Sequence, residues 1–119
     1  PTWFAFTVGF TGFSANPAGF LARFNIVGTT VNVALRGPNA GTSNATTFTI
    51  TGAPVAAKAV TNFSWVGFMW GQNAGSTVMA FAVIDPSTTT FACAVVAGGS
   101  SWTNTGNKAC HICSISYEF

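Results

Sequence analysis

The chain has 119 residues, of which 49% are hydrophobic, 14% aromatic and only 5% charged, and its net charge is +2. This length predicts a single domain over residues 1–119. Its charged fraction is far below the roughly 25% of an ordinary soluble domain. The few cations are scattered, and no apolar run is long enough for a membrane-spanning helix. We therefore expect no nucleic-acid partner and no membrane insertion.

Apolar residues alternate with small or polar ones along most of the chain. This period of two, with many β-branched and aromatic residues, is typical of half-buried β-strands. In chain order the predicted strands cover residues 4–10, 20–26, 31–35, 46–51, 61–70, 77–84, 89–96 and 108–119.

Residues typical of turns separate the predicted strands. Segment 27–29 is short enough for a hairpin, and 37–44 predicts a surface loop. The glycine-rich segments 71–75 and 97–101 precede no helix, so they predict turns rather than phosphate-binding loops. Residues 54–58 would form at most one helical turn. The predicted fold is an all-β antiparallel sandwich or jelly-roll-like domain of about eight strands, with no significant helix.

The strand at 61–70 is apolar on both faces. Its alternation places Trp65 and Met69 on one face and Phe68 and Trp70 on the other. A strand at the surface of a monomer should have one polar face. We therefore predict that one face packs in the core and the other against a neighbouring chain, with Trp65 and Trp70 as candidate interface residues. Which tryptophan faces which side depends on the strand register, which the sequence does not assign.

Trp102 is the third candidate contact residue, because it lies among small polar residues in segment 99–106. An exposed tryptophan there would stack on a sugar or anchor an interface. The alternative, equally open at this point, is that Trp102 folds back to cap the core.

The cysteines resemble half of a metal site. Cys110 and Cys113 have C-x2-C spacing, and Cys93 would be a third ligand. In a regular strand, however, Cys110 and Cys113 face opposite ways, and a second cysteine pair is missing. The sequence predicts no metal and buried free thiols, and it leaves open a disulfide from Cys93 to either of the other two.

Acid–base groups are scarce. His111 is the only histidine, and Asp85 and Glu118 are the only carboxylates of side chains. General acid–base catalysis has almost no groups to use. We expect a protein that is not an enzyme, with no catalytic residue and no cofactor.

Three segments carry a resemblance to a known class. They read GFSANPAG at 12–19, GTSNATTFTITGAP at 41–54 and SISY at 114–117. In this order they are similar to small β-rich modules of tailed-bacteriophage virion proteins, including tail-fibre ends and head-surface proteins. The resemblance implies a virion component, commonly trimeric, on the particle surface. The family's Arg-Val-Gly-Asn turn is matched only in part, by residues 25–29, and no ligand site is carried over.

Two functions follow from the composition and the resemblance. Low charge and surplus aromatic surface favour an obligate oligomer, most simply a homotrimer, acting as a capsid decoration or cement protein through contacts with other virion proteins. The alternative is the receptor-binding C-terminal module of a tail fibre that recognises host glycan or protein. If Pro1 follows a removed Met, the first is favoured, whereas a Pro1 at a fragment boundary favours the second.

Overall fold

The computed structural model describes residues 2–95 and 101–119. In these ranges all regular secondary structure is β, and no helix is present that is long and apolar enough to cross a membrane. The eleven strands are β1 (Phe4–Ala5), β2 (Gly9–Thr11), β3 (Phe13–Ala15), β4 (Leu21–Val27), β5 (Thr30–Arg36), β6 (Gly41–Ser43), β7 (Thr49–Thr51), β8 (Trp65–Asn73), β9 (Ser76–Ile84), β10 (Thr90–Val95) and β11 (Asn107–Glu118).

The strands form one antiparallel sheet. Nine of them follow the order β1-β4-β5-β11-β8-β9-β10-β7-β2, while β3 pairs with β6 and β6 pairs with the start of β11. The two end strands, β1 and β2, are joined by residues 6–8 alone. A chain of this length spans at most about 14 Å between Ala5 and Gly9. The sheet must therefore curl until its two ends lie near each other.

The prediction of an all-β antiparallel domain is confirmed for the described residues. The sheet is curled like part of a barrel, and it is not clearly a sandwich or a jelly roll. The strand number also differs from about eight. The predicted strand 4–10 divides into β1 and β2, which pair at opposite ends of the sheet. Two further strands were not predicted: β3 lies between the predicted strands 4–10 and 20–26, and β6 lies in the predicted loop 37–44.

Two tight turns fix the register of the central strands. The predicted hairpin between β4 and β5 is confirmed, and Gly28 adopts a φ of 60° at its first central position. Between β8 and β9, Ala74 and Gly75 form a two-residue turn with φ values of 51° and 83°. Positive φ at both central residues is the type I′ geometry that matches strand twist. The predicted turn at 97–101 and the strand end at 96 lie largely outside the described residues.

The core lies on the concave face of the curled sheet. Phe91 of β10 and Tyr117 of β11 meet edge to face there, with ring centroids 6.2 Å apart. The Tyr117 hydroxyl donates a hydrogen bond to the Val55 carbonyl at 2.7 Å, which holds the segment between β7 and β8 against the core. The largest fully buried apolar side chains are Leu35, Phe48, Ile50, Met69, Ile84, Phe91 and Tyr117.

Candidate functional site

Strand β8 presents apolar side chains on both of its faces. Met69 is fully buried and Trp65 is half-buried against the core, whereas Phe68 and Trp70 are 47% and 43% exposed. The predicted division, with Trp65 and Met69 on one face and Phe68 and Trp70 on the other, is confirmed. The structure also makes the assignment that the sequence left open, with Trp65 inward and Trp70 outward.

The outward side chains of β8 continue into the neighbouring strands. Trp70 lies opposite Met79 of β9 and Ile112 of β11, and Phe68 lies opposite Phe81. Directly opposed side chains in antiparallel strands are close enough to touch. We call this surface the apolar face; its members, each between 41% and 58% exposed, are Val66, Phe68, Trp70, Met79, Phe81 and Ile112.

The apolar face carries no charge on its central strands. None of the residues of β8, β9 and β10 is charged. At the observed exposures, the six side chains present on the order of 500 Å² of apolar surface, which is near the upper end for the largest patch on a typical monomer. Five of the six side chains lie on the adjacent uncharged strands β8 and β9, and Ile112 lies beside them on β11.

Trp102 takes the second of its two predicted alternatives. It is 3% exposed, and its indole N–H donates a hydrogen bond to the Cys93 carbonyl at 2.9 Å. Its ring meets Phe48 edge to face, with centroids 5.1 Å apart. Trp102 therefore caps the core and does not provide an exposed contact.

The prediction that Cys110 and Cys113 face opposite ways is wrong. Cys110 lies opposite Gly71 and Ile112 lies opposite Trp70, so His111 is an extra residue in β11. This β-bulge shifts the alternation by one position, and both cysteines are buried. Residues three apart face opposite ways only in a regular strand, and nothing in the local sequence marks the bulge.

All three cysteines are buried free thiols in the structure. Burial raises the pKa of Cys93, and a hydrogen bond with Cys113 together with burial raises the pKa of Cys110. Over residues 2–95 and 101–119, no three histidine, cysteine or carboxylate side chains are arranged to hold a metal ion. Because the bulge puts both cysteines on the same side of β11, strand geometry no longer argues against a metal. The absence of a metal stays a prediction, and it now rests only on the small number of available ligands.

The acid–base residues are each engaged in separate places. Nδ1 of His111 lies 2.6 Å from the Gly37 carbonyl oxygen, and Asp85 accepts a hydrogen bond from the Ser64 hydroxyl at 2.6 Å. Glu118 lies at the other end of β11, seven residues from His111, which is about 23 Å along a strand. The structure does not bring His111 and Glu118 together.

Lys108 is a buried residue that the sequence analysis did not single out. Its ammonium group donates hydrogen bonds to the carbonyls of Gly12 at 2.7 Å, Ala45 at 3.1 Å and Thr47 at 2.8 Å. The rings of Phe13 and Phe48 flank it at 4.6 and 5.5 Å. Burial lowers the pKa of Lys108. The sequence signal that could have indicated the burial of Lys108 was its position two residues before Cys110, because residues two apart lie on the same face of a strand.

A groove lies beside the apolar face on the convex side of the sheet. Its volume is about 570 Å³, and it is lined by residues of β4, β5, β8 and β11 together with Trp3. Across its floor, the Asn32 amide donates to Asn25 Oδ1 at 2.8 Å, and the Ser116 hydroxyl donates to Asn32 Oδ1 at 2.7 Å. Phe68 belongs both to this groove and to the apolar face.

Comparisons with protein-family models, with curated proteins and with solved structures found no match for this chain.

Proposed function

We propose that this chain is a structural subunit that acts by packing its apolar face against further copies of the same chain. The observation that carries the proposal is the set of six exposed apolar side chains, five of which lie on β8 and β9, strands without a charged residue. Water contact with this surface is unfavourable by about 25 cal/mol for each Å². Association would remove that contact, which gives the subunit a physical reason to assemble.

A second copy is the partner that the chemistry of the face favours. A charged partner surface would lose its hydration there without gaining an opposite charge in return. The chain itself, with only 5% charged residues, supplies an uncharged apolar surface of the same kind. A stable interface buries about 800 Å² for each partner, and the six side chains provide more than half of that area.

The sequence resemblance extends this proposal to a tailed-bacteriophage particle. On that basis the chain is a homotrimeric capsid decoration or cement protein on the virion surface, in contact with other virion proteins, and without catalytic activity or cofactor. A sandwich, a jelly roll and a curled sheet would be equivalent for this role, because each offers an outer face of strands to a neighbour.

The second candidate is a receptor-binding module at the end of a tail fibre. The observation that favours it is the groove between Trp3 and Phe68, whose floor carries amide and hydroxyl groups. A mixture of aromatic walls and a few polar groups is typical of ligand sites.

A single charge at the centre of the apolar face tests the assembly proposal. Met79→Lys would bury an unpaired ammonium group next to Trp70, so the dissociation constant of the oligomer should rise at least about 100-fold. Thr77→Lys is the matched control, because Thr77 is exposed on the same face of β9 but outside the apolar face. Sedimentation velocity at micromolar concentration measures the mass of both variants. Equal masses for Met79→Lys and the parent would contradict the proposal.

A further inference from the structure

The groove combines two aromatic walls with a polar floor. Trp3 and Phe68 line it and are 43% and 47% exposed, so both rings are accessible to a ligand. The guanidinium of Arg23 lies over the Trp3 ring, 6.0 Å from its centroid, at a distance where cation–π attraction restrains the indole. At one rim of the groove, the Trp3 ring is therefore held in place by Arg23 and offers its surface to a ligand.

The floor holds a row of hydrogen-bonding side chains that runs across three strands. Asn25 of β4, Asn32 of β5 and Ser116 of β11 are linked by the two hydrogen bonds described above. Each amide nitrogen carries two N–H donors. Among the described residues, these bonds use one of the two N–H donors of Asn32, which is half-buried, whereas Asn25 is only 5% exposed. The second N–H of Asn32 therefore remains for a ligand. The hydroxyl of Ser114, which also lines the groove, can both donate and accept.

We propose that this groove binds a neutral saccharide. A sugar ring has a C–H face that packs on an aromatic ring, and its hydroxyls donate and accept as the amides and serines do. The described side chains that line the groove are uncharged, and the nearby Arg23 lies over the Trp3 ring rather than in the lining, so the lining itself matches a neutral ligand. The volume of about 570 Å³ lies within the usual range of small-ligand sites, about 300–1,000 Å³, and has room for a short oligosaccharide.

This inference deepens the second candidate function but does not depend on the first. The groove is centred on β5 and β11, whereas the apolar face is centred on β8 and β9, and only Val66 and Phe68 belong to both. Assembly through the apolar face would cover Val66 and Phe68, whereas Trp3 and the polar floor lie outside that face and stay open to a saccharide.

The test is an NMR titration of the ¹⁵N-labelled parent protein with maltotriose, cellotriose and lactose, and with sialyllactose as the acidic comparison. We expect saturable shifts of the Trp3 indole and the Asn25 and Asn32 side-chain amides with at least one neutral sugar. Trp3→Ala should weaken binding about tenfold through the lost ring contact. Phe4→Ala is its control, because Phe4 is an exposed neighbouring aromatic residue outside the groove.

Asn32→Ala tests the polar floor in the same titration. It removes the centre of the hydrogen-bonded row and should abolish saturation, whereas Asn39→Ala, in an exposed loop, should bind like the parent. Binding of sialyllactose alone, shifts that do not saturate, or equal affinity of Trp3→Ala and Phe4→Ala would overturn the inference. A parent that assembles without binding sugar refutes only the groove, and a monomer that binds sugar refutes only the assembly.

Discussion

Lys108 places a charge inside an apolar core, where an unpaired ammonium group would be strongly unfavourable. Its three N–H donors meet three backbone carbonyls, from Gly12, Ala45 and Thr47. These carbonyls belong to the turn between β2 and β3 and to the segment between β6 and β7. One side chain thus links β11 to two connecting segments that have few other backbone contacts with it.

Lys108→Met should destabilise the fold by about 3 kcal/mol, because it removes charged hydrogen bonds and leaves buried carbonyls unsatisfied. Urea unfolding followed by tryptophan fluorescence measures the change. Lys58→Met is the control: Lys58 is exposed and lies 3.9 Å from Glu118, so its loss should cost less than about 1 kcal/mol. Similar unfolding midpoints for the two variants would show that the buried contacts do not stabilise the fold.

The sequence did not determine the surroundings of two single residues, Trp102 and Cys110. Trp102 could be placed in a polar segment, but its burial depends on Phe48 and Cys93, which come from other parts of the chain. The orientation of Cys110 depends on the extra residue His111, and a bulge arises from pairing with β8 rather than from local sequence. Side-chain environments set by distant segments are not encoded in a local pattern.

At the scale of elements, the alternation of apolar and polar residues predicted strands more reliably than it predicted the surroundings of single side chains. It predicted the faces of β8 and the positions of β4, β5, β9 and β11 to within a few residues, because each of these strands has one face in the core. It did not predict β3 and β6, which have three residues each and rest on pairing with each other and with β11. Strands that short carry too few residues for a period to be visible.

The two tryptophans of β8 should respond differently to truncation. Trp65→Ala removes an aromatic side chain that packs on the core and contacts Phe63 at 5.0 Å between centroids, so the subunit should lose about 3 kcal/mol and melt about 10 °C lower. Trp70→Ala removes an outward side chain and should give a folded protein that does not assemble.

Dissociation lowers the apparent melting temperature by itself, so the comparison is made within the monomer. The double variant Trp65→Ala, Trp70→Ala should melt about 10 °C below Trp70→Ala alone, as followed by circular dichroism. If both single variants assemble normally and melt like the parent, burial on both faces is wrong, and the strand is an exposed binding surface instead.

At the scale of the whole molecule, one curled sheet divides the apolar residues of the chain into two populations. The concave face encloses the core, and the convex face leaves Val66, Phe68 and Trp70 in water together with their neighbours on β9 and β11. The composition had indicated more apolar surface than one small core needs. Where that surplus lies could not be read from the sequence, because it depends on the order of strands in the sheet.

The central claim is that further copies of the chain cover the surplus apolar surface on the convex face of the sheet. Light scattering of the purified protein at micromolar concentration, coupled to size-exclusion chromatography, tests it most directly. Association through the apolar face predicts a species of at least twice the chain mass of 12.3 kDa, and the resemblance to trimeric virion modules makes the expected mass three times that of the chain. A stable species of 12.3 kDa, with circular dichroism typical of a folded β protein, would contradict it.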